Sequence, residues 1–372
     1  MTAHHLDALR SWVAQQVGLS APELEFIAGD ASPRQYYRVR CSTGQLGVSS
    51  CIVMVSPPSE NNEAFLHVGR CLASAGILTP TVLAQEQGQG WFLLEDFGDV
   101  QLLSVLNAES ASFRYRQAFE VLAKQVRLPT GDAGIPLYTP SRLNAELSLF
   151  TEWFLQRLLK VTVSETATAR FRAVSECLIA SALEQPQVWV HRDFHSRNMM
   201  VLAADLGIID FQDAVVGPIT YDPVSLLKDC YIRWPRDQQL TWLDTYYDQV
   251  RSIGHASQGV EGSLSTKAKE GSLSDRLEGV SRARFEQWFD LMGLQRHLKV
   301  LGIFARLHIR DQKSAYLEDL PLVVAYVREA AAVTANTDSS IADFGEWFEH
   351  DLMPVIGDQH WYCPVDTAGW IL

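Results

Sequence analysis

The sequence predicts an α+β protein of two lobes, a small β-rich N-lobe over residues 1–97 and a larger, mainly helical C-lobe over 98–372. Three observations predict it. The first hundred residues carry short β-rich runs bounded by Gly, Pro and Ser. From about residue 101 onward, apolar residues recur with the period of a helix. Residues 188–211 then interleave short apolar runs with polar turns, and those turns hold Asp193, Asn198 and Asp210.

Each N-lobe element has its own signal. An amphipathic helix runs from the N-terminus to about Val17. Glu23–Ala28, Gln35–Arg40 and Cys51–Val55 read as strands, the last ended by Pro57-Pro58. Asn62–Ala75 places Phe65, Val68, Leu72 and Ala75 on one helical face. Thr81–Gln85 and Trp91–Leu94 form two further strands, turned by Gln87-Gly88-Gln89-Gly90. In the C-lobe, helices are expected at 110–127, 141–160 and 165–183, the third capped by Ser164. Later helices fall at about 223–232, 236–253, 281–308, 319–336 and 340–353. Asp222 before Pro223 reads as a helix N-cap. Residues 255–280 repeat Gly-Ser-Leu-Ser and predict a flexible surface insertion rather than a lid.

Composition narrows the functional classes. The 372 residues are 47% hydrophobic and 20% charged, as in ordinary globular proteins, and carry a net charge of −13. A surface this acidic repels nucleic acid and anionic lipid, so neither is an expected partner. No signal-peptide core opens the chain, and no apolar run reaches the ~18 residues of a membrane span. The six cysteines form no C-x-x-C pair, which argues against zinc and for reduced core thiols. A cytoplasmic monomer is the expectation.

The motif that carries chemistry is His191-Arg192-Asp193-Phe194-His195-Ser196-Arg197-Asn198, followed by Asp210. Its spacings match a kinase catalytic loop and the magnesium-binding aspartate after it. Asp193 would orient the attacking hydroxyl and accept its proton. Asn198 and Asp210 would hold magnesium on the phosphates of ATP. Apolar runs on either side predict strand–loop–strand–turn–strand, which would bring the three together. The order of N-lobe elements is also that of a kinase. Gly29-Asp30-Ala31-Ser32 lies in the first β-turn, where backbone N–H groups reach phosphate, with Ser32 and Arg34 as nucleotide contacts. Leu94, Glu95 and Asp96 sit at the hinge that offers backbone groups to adenine, and Gly98 follows. One part is missing: Met54 stands where a protein kinase has its third-strand lysine, which leaves Glu63 without its partner. His191 would brace the loop. His195 and Arg197 face the acceptor side, Arg142 and Glu146 are weaker acceptor contacts, and Trp153 is read as core.

These residues resemble the aminoglycoside phosphotransferase and choline kinase superfamily, whose usual His-Gly-Asp-Leu-His is here His191-Arg192-Asp193-Phe194-His195. The likeness narrows to the bacterial anomeric kinases of N-acetylmuramate and N-acetylglucosamine. Gly29–Val39, Leu94–Asp99, His191–Met200, Gly217–Leu227 and Gln295–Leu307 carry it, and Met54 is similar too. The resemblance implies a protein-kinase-like fold and ATP-dependent phosphorylation of the sugar C1 hydroxyl in cell-wall sugar recycling. A lactyl carboxylate would want a cation, with Arg192, Arg197 and Arg233 as candidates. The alternatives are an aminoglycoside, choline or amino-alcohol acceptor, or a nucleotide-binding regulatory module without turnover.

Overall fold

The computed structural model describes residues 3–28, 33–41, 47–131, 134–253 and 273–365. Ser32 and its turn, and residues 255–272 of the expected insertion, lie outside them. The chain divides into two compact units, Met1–Gln101 with Met199–Asp213, and Leu102–Asn198 with Ala214–Leu372.

The first unit holds α1 (Ala3–Val17), β1 (Glu25–Ala28), β2 (Gln35–Arg40), β3 (Ser50–Val55), α2 (Asn62–Ser74), β4 (Val82–Glu86) and β5 (Trp91–Glu95). The strands form one antiparallel sheet in the order β1-β2-β3-β5-β4. Side chains alternate across a strand. Val39, Cys51, Val53, Val55, Trp91 and Leu93 therefore share one face, where they bury Leu9, Val13 and Val17 of α1. Tyr36, Met54 and Phe92 pair in register and occupy the other face, toward which α2 turns Phe65. Gly90 closes the β4–β5 turn at φ 69°, and a Cβ there would stand 1.9 Å from the Ser56 carbonyl oxygen. Only glycine fits both demands.

Beyond this sheet, the first unit takes up the hairpin of β7 (Met199–Val201) and β8 (Leu206–Ile208). A single division at residue 97 would leave this hairpin, and Asp210 after it, in the other unit. It groups with the first because Met200 bridges Gln101 and Gly207 bridges Leu78. Phe211 stacks on Phe65 at 5.2 Å, and the absent side chain of Gly69 lets that ring in.

The second unit is built from α3 (Ala111–Gln125), α4 (Pro140–Leu149), α5 (Glu165–Glu184), β6 (Gln187–Val190), β9 (Val215–Pro218), α6 (Tyr221–Leu227) and α7 (Arg236–Ser252), then α8 (Leu273–Leu277), α9 (Arg282–Asp311), α10 (Leu320–Thr334), α11 (Ser339–Trp347) and α12 (Met353–Gly357). The 30-residue α9 is its axis, buried along much of its length against α4, α5, α6 and α10. Helix α5 starts on Ser164, whose Oγ accepts the Ala167 amide. Where one helix was expected over 141–160, α4 gives way to a π-helix at Phe150–Leu158. The transition faces Gly302 of α9, whose missing Cβ lets the Leu149 backbone approach to 2.3 Å of where it would be. The last part of the expected insertion is not loose: α8 buries Leu277, and Arg276 donates to the Gln187 carbonyl.

Candidate active site

In the second unit, β6 ends at Val190 and delivers the loop 191–198. Its backbone is held by two buried carboxylates. Asp222 accepts the His191 amide at 2.7 Å, the Arg192 amide at 3.0 Å and Gln125 Nε2 at 2.6 Å. Asp229 accepts the Ser196 amide at 2.9 Å and its hydroxyl at 2.5 Å. The expected N-cap at Asp222 is therefore not formed. Thr220 precedes α6, and the carboxylate turns instead to the loop, whose buried N–H groups need acceptors more than the helix start does. His191 is also buried, and its Nδ1 accepts the Asp193 amide at 3.3 Å.

Asp193 lies among cations. Burial pushes its carboxyl up, but Lys299, Arg192, His195 and Arg296 outweigh that and hold it at about 2. It is a carboxylate at any physiological pH. Lys299 Nζ donates to Tyr221 Oη at 3.0 Å and lies 3.4 Å from Glu146, which also pairs with Arg192 and accepts from Tyr138. Glu146 is partly buried, which alone would raise its pKa. Lys299 and Arg192 lower it, so it too stays ionised. Arg192 takes a left-handed backbone, φ 76°, where glycine is at ease and a long side chain costs about 1–2 kcal/mol. The Asp222 bond to its amide, the Glu146 ion pair and the Tyr138 ring 5.7 Å from its guanidinium hold it there.

Asn198 ends the loop in a short 3-10 turn, Ser196–Asn198. Its Nδ2 donates to the Asp193 carbonyl at 3.0 Å, which assigns Oδ1 to the other side of the amide as an acceptor. Arg197 stacks on the Tyr231 ring at 3.6 Å, and His195 meets the same ring edge-on at 5.4 Å. Arg233 is buried, pairs with Glu329 and lies over Tyr326, which commits its charge within the core. Arg142 is exposed on α4, its amide in the Thr139 cap. Of the sequence candidates, the second unit thus brings Asp193, Asn198, His195, Glu146, His191 and Asp222 into one neighbourhood, while the Arg142 side chain is exposed.

In the first unit, Asp210 follows β8 with φ 63°, a conformation Asp tolerates, and Gln212 donates to its Oδ1 at 2.8 Å. Arg34 is buried, its Nε donating to Ser56 Oγ at 3.2 Å. At the expected hinge, Leu94 is buried in the sheet. The Glu95 amide is given to Thr81 O, and its carboxylate accepts from Thr81 Oγ1 at 2.7 Å. Asp96 accepts a two-pronged bond from Arg38, at 2.7 and 3.0 Å, and the Gly98 amide. Both acidic side chains are thus engaged in fixing the chain here, as is the Glu95 amide.

The sequence reasoning passed over Gln125, Asp229, Arg296 and Lys299. A signal existed for the last two. They lie three apart on one face of a long helix that also carries Leu291, Leu294, Leu298 and Leu301, and charges placed in such a helix are buried only when paired.

The whole segment from β6 to Asp210 lies inside a match to the phosphotransferase enzyme family over residues 23–257. The chain belongs to that family. The N-acetylmuramate/N-acetylglucosamine kinase of Pseudomonas putida is 37% identical over 337 residues, 87% of this chain and 91% of its own. The kinase of that name from Neisseria meningitidis is 31% identical, covering 87% and 90%. Among solved structures, a Cryptosporidium parvum choline kinase aligns with a TM-score of 0.61 at 10% identity, covering 93% of this chain and all of its own. An ADP-bound aminoglycoside phosphotransferase gives 0.55 at 12%, covering 89% and 99%. The fold is accordingly the protein-kinase-like α+β fold, and this phosphotransferase is an enzyme.

Proposed function

We propose that this phosphotransferase transfers the γ-phosphoryl group of ATP to the C1 hydroxyl of N-acetylmuramate and N-acetylglucosamine, as a cytoplasmic, monomeric step of cell-wall sugar recycling. The observation that carries the acceptor class is the likeness to curated kinases of these sugars over nearly nine-tenths of both chains. The electrostatics of the loop agree with it. Asp193 and Glu146 face three permanent cations, Arg192, Arg296 and Lys299. Such surroundings suit a neutral or anionic sugar and oppose a polycationic aminoglycoside or choline.

Within this reading Asp193 orients the acceptor hydroxyl. An anomeric hydroxyl is more acidic than an ordinary alcohol, and a loose phosphoryl transition state asks for alignment more than for deprotonation. A carboxylate held at about 2 is a weak base but a permanent hydrogen-bond acceptor, which matches that task. Magnesium would be held by the Asn198 amide oxygen and the Asp210 carboxylate, hard oxygen donors few enough to leave places for phosphate. The Asn198 bond to the Asp193 carbonyl supports this by fixing which way the amide points. When bound, the ion neutralises charge on the phosphates. Arg34, Ser32 and the backbone of Leu94–Asp96 take the nucleotide, and His195 and Arg197 border the acceptor.

The test is a panel of acceptors assayed by ADP release with magnesium. Turnover with the two amino sugars and none with aminoglycosides or choline is expected. Turnover confined to a cationic acceptor would refute the proposal.

A further inference from the structure

We infer that Cys41 and Cys51 are a reversible disulfide-forming pair, a modification site that ties β2 to β3 when the protein meets a small oxidising disulfide such as oxidised glutathione. The inference stands apart from the kinase reading. The two sulfurs lie 3.5 Å apart, whereas a disulfide bond is about 2 Å long. The strands bring them there. Val39 of β2 pairs with Cys51 of β3, and the Cys41 amide donates to the Ser49 carbonyl at 2.9 Å, which continues the ladder two residues on. Cys41 and Cys51 are therefore diagonal neighbours on one face of the sheet, within reach of each other across the strands. Both thiols share one acceptor, the Val39 carbonyl, Cys41 at 3.8 Å and Cys51 at 3.9 Å.

The pair is uneven, and that sets the order of events. Cys51 has no exposed surface and belongs to the cluster of Val39, Val53 and Leu93. Cys41 packs against the same cluster but is partly exposed, so an oxidant reaches it first. The Cys41 thiolate attacks one sulfur of oxidised glutathione, which forms a mixed disulfide and releases one glutathione thiolate. The Cys51 sulfur then attacks the Cys41 sulfur, displaces the second glutathione as its thiolate and gives up its proton to it. Two protein thiols are thereby oxidised to one disulfide, and one glutathione disulfide is reduced to two thiols. Burial first, then the hydrogen bond with Cys41, push the Cys51 thiol up. The second step is therefore slow near neutrality and quickens as pH rises. A reducing compartment returns the pair to thiols, so the bridge is transient there.

The experiment treats the native full-length protein with oxidised glutathione at neutral and at alkaline pH. Peptide mapping by mass spectrometry reads which cysteines are joined, and a thermal melt reads whether the fold accepts the bond. Wild type should show Cys41 joined to Cys51, faster at the higher pH and reversed by dithiothreitol. Closing the chain over residues 41–51 limits its unfolded state, so oxidation should raise the melting temperature of wild type and not that of Cys41→Ser. Cys41→Ser should leave Cys51 a free thiol in the folded protein, and Cys51→Ala should stop at glutathione on Cys41. Should Cys51→Ala not fold, Cys41→Ser and the wild-type map decide. Glutathione held on wild-type Cys41 with no cross-link would overturn the inference. So would a cross-link that forms only in denaturant, or a wild-type melting temperature that oxidation lowers.

Discussion

Asp193 is where residue-level physics bears most directly on the reaction. Its carboxyl is partly buried, which favours the neutral acid, yet the cations around it win and hold it at about 2. Its ionised form is therefore fully present above about pH 4 and is lost only as pH falls toward 2. No limb of the kcat/KM profile between pH 5 and 9 should come from Asp193. Lys299→Ala removes the first-named of those cations, so the acidic limb should move upward in pH while the fold persists. An unmoved limb would separate Lys299 from the carboxylate. Asp193→Ala should cut kcat by about 10²–10⁴ and leave ADP binding intact, measured by turnover and titration. Asp193, Asn198 and Asp210 were legible as candidates because their spacing is local. Lys299 acts on Asp193 from a hundred residues away, and a single sequence does not print such distances. Asp222 misled for a related reason: Asp-Pro before a helix is a good cap by local rules, but the loop across from it offers unpaired N–H groups that only the fold reveals.

At the scale of elements, strands with strong patterns were read nearly to the residue. Gln35–Arg40 is β2 as expected, because Tyr37 and Val39 alternate with Arg38 and Arg40, and Ser, Pro and Gly residues bound the run. β9 escaped, being a four-residue run whose strand character comes from pairing with β6. The π-helix at Phe150–Leu158 escaped as well, since 3.6-residue periodicity cannot announce a wider turn. Gly302 is where that irregularity meets α9. Gly302→Ala would push a methyl group into the Leu149 backbone and should cost about 1–3 kcal/mol, despite alanine's better helix propensity. Denaturant unfolding checks this: a variant as stable as wild type would mean that the α4–α9 contact is slack. Asp229→Asn tests the loop clamp in turn. It should lower kcat more than it lowers the melting temperature, because the Ser196 amide and hydroxyl both depend on that carboxylate.

For the molecule as a whole, the sequence reads as an acidic chain of −13, while Asp193 in the loop 191–198 has Lys299, Arg192, His195 and Arg296 about it. Net charge therefore says what stays away from the surface and nothing about the acceptor. The choice among acceptors rests on those local charges and on kinship with amino-sugar kinases. Two units were visible in the shift from strand to helix signals, but the return of β7–β8 to the first unit was not, since it depends on bridges to Leu78 and Gln101. The most direct measurement of the central claim is phosphorus and carbon NMR of the product formed from ATP, magnesium and N-acetylmuramate. The account predicts a phosphate ester coupled to C1, absent when Asp193→Ala replaces the wild type. A phosphate on any other hydroxyl, or an unaltered sugar after full turnover of ATP, would contradict it.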